Sequence, residues 1–394
     1  MLNDIRVLDL TNVLAGPFCC HQLAHMGAEV IKIETVGRGD LARQLGPDAR
    51  LNQEKCGISF LAQNAGKKSL TLNLKSPEGK NIFRKLVETA DVVVENFRPG
   101  VMDRLGLGYK QLQQVNPQIV YCAISGFGQE GPFRERPAYD QIVQGLSGVM
   151  TITGRPGDEP LRVGYPLADT IGGLTAAMAI SAALNSKPRG AFLDVAMLDS
   201  VLTSMGWIVS NFLNADIIPG QHGNENMTSS PSGTFQTQEG LLNIAANEER
   251  QWQALAEHLG CGHLCDDDRF RTREQRKKYR TELRQELEKS LATKPAKQWE
   301  DELCALGVPA GIVMTVPEML AHEQIRQRGL IAEFPSPIGE EKNIALVRTG
   351  FLKDGSPVGV TTPPPRLGEN NEDLLYGLGY DENEINEFYQ KGVI

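Results

Sequence analysis

Short β-branched runs alternate with helix-patterned stretches through the first third of the chain, and this alternation confines the fold to a parallel sheet covered by helices. Arg6-Val-Leu-Asp-Leu10 reads as a strand, about Ala15 to Met26 as a helix closed by Gly27, and Glu29-Val-Ile-Lys-Ile33 as the next strand. The pattern recurs with a helix from about Pro77 to Thr89 and strands at Asp91-Val-Val-Val-Glu95 and Ile119-Val-Tyr-Cys-Ala-Ile124. A Rossmann-like half is expected. Between Leu161 and Leu202 the chain is rich in Ala, Gly and Met, which implies closely packed helices, with Leu193-Asp-Val-Ala196 as a strand between them.

A chain of 394 residues has room for two domains. Periodicity fades from about Asn211 to Pro231 into Asn, Gly, Ser and Pro, the composition of a connection. Beyond it, a strand pair near Gly233-Thr-Phe-Gln and Leu241-Leu-Asn-Ile leads into charged helices over roughly Glu249 to Leu306, a smaller α+β domain. A Pro- and Gly-rich return, Thr361-Thr-Pro-Pro-Pro-Arg-Leu-Gly368, precedes a final acidic helix from about Asp381.

A net charge of -9 gives no overall basic field, so nucleic acid is not an expected partner. Met1-Leu2-Asn3-Asp4-Ile5-Arg6 passes straight into a strand without the regions of a signal peptide, and a cytoplasmic location is expected. The most apolar long segment, Gly172 to Leu184, is well short of the roughly 20 residues that span a bilayer, so no membrane span is expected. The seven cysteines are scattered and read as reduced thiols. Cys261-Gly-His263-Leu-Cys265 lacks paired CxxC spacing and a second ligand cluster, so no metal is expected.

Gly126-Phe-Gly128-Gln-Glu-Gly131 has the spacing of the dinucleotide fingerprint and follows a strand. That fingerprint needs a helix opening at the glycines, whereas Pro132-Phe-Arg-Glu-Arg-Pro137 follows and breaks one. Nicotinamide and flavin are therefore not expected. Asp169, in Tyr165-Pro-Leu-Ala-Asp-Thr-Ile-Gly-Gly173, precedes the small-residue helix and reads as an N-cap. The same helix end would also hold a carboxylate ionised beside a glycine-lined space, as a nucleophile requires, and the two roles are compatible. Arg38, Lys67, Lys68, Lys75, Arg98 and Arg104 recur at strand and loop ends. They are either solvated surface charges or ligands for phosphate at the side of the sheet where open α/β folds bind ligands.

Taken together and in order, several segments resemble the class III CoA-transferases, the CaiB/BaiF family that includes formyl-CoA:oxalate CoA-transferase-like members. They are Val7-Leu-Asp-Leu-Thr with Leu14-Ala-Gly-Pro17, Gly27-Ala-Glu-Val-Ile-Lys-Ile-Glu34, Gly37-Arg-Gly-Asp40, Asn64 to Lys75, Glu95-Asn-Phe-Arg-Pro-Gly100, Leu105-Gly-Leu-Gly-Tyr109, Ser125-Gly-Phe-Gly128 and Pro137-Ala-Tyr-Asp140. The resemblance covers nearly the whole chain. It implies an α/β fold in which a Rossmann-like large domain, built from 1–210 and the end of 326–394, is joined through a linker over 211–232 and a return linker to a small α+β domain over 233–325. It also implies an interlocked homodimer.

By the same resemblance Asp169 is the nucleophile, and Arg38, Leu72, Lys75, Asn96, Phe97, Arg98, Arg104, Tyr139 and Asp140 form the CoA-binding region. Oxalate-handling members can carry a basic residue where this chain has Pro137. The family also holds α-methylacyl-CoA racemases, which use the His of a Gly-His-Asp sequence. Here Ala138-Tyr139-Asp140 occupies that segment, and a phenol, almost wholly un-ionised at neutral pH, is a poor base for an α-proton. A CoA-binding protein without activity would give Asp169 no role.

The implied reaction moves CoA from succinyl-CoA or acetyl-CoA to a short dicarboxylate through mixed anhydrides and an aspartyl-CoA thioester, with no prosthetic group. Gly16, Gly126 and Gly128 are the candidates for stabilising its oxyanions. Family members often close a glycine-rich lid over the intermediate, but the matching stretch here, Ala245-Ala-Asn-Glu248, is not glycine-rich.

Overall fold

Strands β1 (Arg6–Asp9), β2 (Glu29–Glu34), β3 (Lys67–Thr71), β4 (Val92–Glu95), β5 (Val120–Ser125) and β6 (Ala191–Ala196) form one sheet in the order 3-2-1-4-5-6, parallel throughout. Val7, Leu8 and Val92 to Val94 have no exposed surface, because helices cover both faces of a parallel sheet and the inner strands become continuous apolar runs. The structure is a computed structural model and describes residues 1–339 and 343–394. One compact unit comprises Met1–Met150, Arg162–Ile217 and Glu323–Ile394, and the other Thr151–Leu161 and Ile218–His322.

The larger unit also holds α1 (Ala15–His25), α2 (Pro77–Glu88), α3 (Asp140–Leu146), α4 (Leu167–Leu184), α5 (Met197–Ser204) and α6 (Gly206–Ala215), among other helices, and α1, α4 and α5 pack directly on the sheet. The small residues of α4 allow close approach. A Cβ added to Gly173 would lie 2.6 Å from the Ala15 carbonyl oxygen, and one on Gly172 would lie 2.9 Å from Met197. These glycines set the first turns of α4 directly against α1 and α5.

The segment read as too short for a membrane is longer in the fold. The helix begins five residues before Gly172, and its 18 residues are long and apolar enough, by length and composition, to cross a bilayer. Its Gly172, Gly173, Ala176 and Ile180 are nevertheless buried within the larger unit.

Residues after Glu323 complete this unit. Asn370 and Asn371 accept from the outward N–H groups of Ser69 and Thr71, both at 2.9 Å, which closes the free edge of β3. Leu375, Ile385, Val393 and Ile394 join Leu70, Leu72 and Phe83 in one core cluster. The smaller unit holds an antiparallel sheet of β7 (Ser232–Gln236), β8 (Leu241–Ala245) and β9 (Ala310–Ile312), packed around Trp252, Leu283, Leu287 and Trp299.

The sequence pattern and the structure differ in places. Helix α6 runs to Ala215, through the first residues of the connection expected at 211–232, and Thr151–Leu161 joins the smaller unit from far upstream. Strand β3 was not expected as a strand at all.

Candidate active site

The carboxyl ends of β1 and β4 lie side by side where the strand order reverses, and an open α/β sheet leaves a crevice at this point. A cleft of about 430 Å³ occupies it. The turn after β1 contributes Asn12 to Ala15, the turn after β2 Arg38 and Gly39, and the turn after β4 Asn96 to Pro99. The segment after β5 adds Ser125 to Phe127, Arg134 and Arg136 to Tyr139, and α4 brings Asp169.

Asp169 is not the N-cap. Pro166 holds that position without a side-chain bond, and Asp169 lies within the first turn. The capping acceptor comes from another helix: Asp140 Oδ1 accepts from Ala168 N at 2.7 Å and from Asp169 N at 3.4 Å, while its Oδ2 accepts from Gln144 Nε2 at 2.7 Å. The Asp169 side chain is half-buried and accepts no hydrogen bond among the described residues. Burial first, and the neighbouring Asp140 carboxylate second, push its pKa up to about 7. The expectation that the helix end alone would hold this group ionised is therefore corrected. Desolvation and a like charge outweigh the favourable dipole.

Of the residues expected to bind CoA, Arg38, Asn96, Phe97, Arg98 and Tyr139 line this cleft with Asp169. Leu72 is buried in the core at the end of β3. Lys75 and Arg104 are exposed but do not line the cleft, and Asp140 is buried beneath it as the cap of α4. Asn96 is engaged with backbone: its Oδ1 accepts from Asn12 N and its Nδ2 donates to Asn12 O, each at 2.8 Å.

Lys67, read as a possible phosphate ligand, is an interior residue, with Nζ 2.8 Å from Asp9 Oδ2. Lys68 pairs with Glu29 at 2.6 Å. Of the three candidate oxyanion glycines only Gly126 lines the cleft. Gly128 N donates to Ser125 Oγ at 2.9 Å, and Gly16 is packed tightly on Thr11.

Arg134 and Arg136 were missed as site residues. Their only signal was two arginines directly after a glycine turn, read as a helix break. They bring the arginines of the cleft to four, around a single carboxylate. Arg136 stacks on Phe133 with its guanidinium carbon 3.9 Å from the ring centroid, which holds the cation in a fixed place. No helix opens at Gly126 to Gly131, as expected; α3 begins only at Asp140. Among the described residues no three metal-ligating side chains converge.

A doubly wound parallel sheet with a cation-rich cleft and one half-buried carboxylate at its switch point defines an α/β enzyme for anionic substrates. The chain belongs to CoA-transferase family III, which its residues 2–371 match, and it is a CoA-transferase. It is 36% identical over 387 residues to succinate–glutarate CoA-transferase of Agrobacterium fabrum, covering 96% of this chain and 95% of that protein. It is 39% identical over 333 residues to acetyl-CoA:oxalate CoA-transferase of Acetobacter aceti, covering 84% of this chain and 85% of that one. The crystal structure of a CAIB/BAIF family protein from Brucella suis superposes with a TM-score of 0.82 at 33% identity, over 96% of this chain and 99% of that one.

Proposed function

We propose that this enzyme transfers CoA from succinyl-CoA or acetyl-CoA to a short dicarboxylic acid, with Asp169 as covalent nucleophile. The observation that carries the reading is the half-buried Asp169 carboxylate, free of hydrogen bonds among the described residues and set in a cleft with four arginines. Its oxygen attacks the thioester carbonyl, CoA leaves as thiolate, and a mixed anhydride forms. The thiolate then attacks the aspartyl carbonyl and expels the first acid, leaving an aspartyl-CoA thioester. The acceptor carboxylate attacks that thioester and releases the thiolate again. Attack of the thiolate on the acceptor's acyl carbonyl yields the new thioester and restores Asp169. No net proton is gained or lost, so no separate acid or base is needed.

Arg38 and Arg98, with Asn96, Phe97 and Tyr139 beside them, are proposed to hold the donor's CoA portion. The dicarboxylate preference is supported by the named activities of the similar enzymes and by the cationic cleft. The test is transfer from succinyl-CoA and acetyl-CoA to a panel of mono- and dicarboxylates, followed by mass spectrometry of the thioesters. New thioesters confined to monocarboxylates would refute the substrate class. α-Proton exchange of a 2-methylacyl-CoA with no transfer to any acid would refute the reaction.

Because the nucleophile must be ionised, kcat/KM for the donor is expected to fall about tenfold per pH unit below a pH of about 7. Asp140→Asn keeps an oxygen for Ala168 N and removes the like charge, so the limb is expected to move to lower pH. A pH–rate profile in which the variant's limb stays in place would dissociate the two carboxylates.

A homodimer is also proposed. None of the residues of α6 is buried, and it exposes Trp207 at 69% and Leu213 at 70%, an apolar face that water leaves uncompensated. Sedimentation is expected to give twice the chain mass, and Trp207→Glu to shift it toward the single chain.

A further inference from the structure

Four charged side chains without exposed surface, Asp9, Lys32, Asp40 and Lys67, form a closed set beside the cleft. Lys67 Nζ lies 2.8 Å from Asp9 Oδ2, and Lys32 Nζ lies 3.0 Å from Asp40 Oδ2 and 3.8 Å from Asp9 Oδ2. The charges cancel within the set. Such pairs give little net stability, since desolvation offsets their attraction and apolar side chains of similar volume serve as well.

What the four do hold is backbone, chiefly residues 11–17, with Asp40 Oδ1 also accepting from Ala42 N at 2.9 Å. Lys32 Nζ donates to Thr11 O at 2.7 Å and Lys67 Nζ to Pro17 O at 3.0 Å. Asp9 Oδ1 accepts from Thr11 N at 2.9 Å and from Thr11 Oγ1 at 2.5 Å, and Asp40 Oδ1 accepts from Val13 N at 3.0 Å. Val13 sits in the middle of this stretch at φ 67°, a conformation that β-branched residues adopt only under constraint. Asn12, Val13, Leu14 and Ala15 are the part of the stretch that lines the cleft with Asp169.

We propose that Asp9, Lys32, Asp40 and Lys67 are positioning residues for CoA transfer, which together fix the strained turn between β1 and α1 that forms the cleft wall. The inference rests on the reading that transfer takes place in this cleft. The set touches no reacting atom. Its contribution is to keep that wall in one conformation, where small misplacements are costly in rate.

The test is the pair variant Lys32→Met/Asp40→Leu, which removes one cation and one anion and leaves Asp9 with Lys67. Thermal unfolding, amide exchange and steady-state transfer are measured on the full chain. The expected result is an unfolding temperature only modestly below the native one, faster exchange confined to the Val13 and Ala42 amides, which lose the Asp40 acceptor, and kcat lower by about tenfold or more. Adding Val13→Gly should recover part of that rate, because glycine adopts a positive φ without strain.

Unchanged kcat and unchanged local exchange in a folded pair variant would overturn the proposal. If the pair variant fails to fold, Thr11→Val carries the test by removing only the hydroxyl bond to Asp9. A several-fold lower kcat is then expected, and an unaltered one overturns the proposal. Native protein that transfers no CoA would defeat the functional reading alone, since the exchange result does not depend on activity.

Discussion

Asp169→Ala loses CoA transfer by roughly 10³-fold or more in kcat, as expected when a covalent nucleophile is removed and only binding is left. The companion variant Asp169→Asn is expected to be more stable than the native protein, and the pH dependence gives the reason. The folded-state pKa is raised from the ordinary 3.8 to about 7, so the folded chain holds a proton that the unfolded chain releases. Native stability is therefore progressively lost as pH rises between these values, and the loss is complete above about 7. Asparagine escapes the penalty, so the gain in unfolding temperature should be larger at pH 8 than at pH 5. Mass spectrometry of acid-quenched protein after mixing with donor should find CoA bound to the native chain and none on the variant. An adduct of equal abundance on Asp169→Asn would move the nucleophile elsewhere.

Arg43→Met is expected to cost about 3–5 kcal/mol of folding stability, the usual result of stranding one member of a buried ion pair. Arg43 Nε lies 2.8 and 3.0 Å from the two oxygens of Glu34, and neither side chain has appreciable exposure. The guanidinium also donates to Lys55 O at 3.1 Å and to Pro365 O at 3.3 Å, and its carbon lies 3.7 Å from the Phe60 ring centroid. One side chain thus joins β2, the segment around Phe60 and the returning C-terminal part. It also packs beneath the cleft, because a Cβ on Gly39 would fall 2.7 Å from Arg43 Cδ. Urea unfolding checks the figure. Glu34→Gln/Arg43→Met should cost less than Arg43→Met alone, and a double variant no better than the single would refute the account of a stranded charge.

Strands β1, β2, β4 and β5 were legible because their residues are apolar and β-branched and the intervening helices carry clear ends, such as Gly27 at φ 103° after α1. Strand β3 was not, because Lys67-Lys68-Ser69 reads as surface. Only the fold brings Asp9 from 58 residues away to pair with Lys67 inside. The site divides in the same way. Arg38, Arg98 and Asp169 could be assembled from segments that resemble a known family. The tasks of Asn96 and Asp140, each bound to a backbone segment distant in sequence, required the tertiary structure. Arg134 and Arg136 were hidden by the prolines that flank them, which identify a helix break and carry no information about which way the loop folds.

The bonds from Asn370 and Asn371 to the edge of β3 span 301 and 300 residues of sequence. During synthesis at roughly 5–20 residues per second, about 15–60 s pass between the emergence of Thr71 and that of Asn371. Throughout that interval Leu70, Leu72 and Phe83 lack the cover of Leu375 and Ile385, and the outer edge of the sheet is open to other strands. The smaller unit, whose main stretch Ile218–His322 emerges inside that interval, can fold while the larger one waits. Nascent chains stalled shortly after residue 322 should therefore carry a protease-resistant smaller unit beside a chaperone-dependent, aggregation-prone larger one. Release of residues 371–394 is the event that ends this dependence.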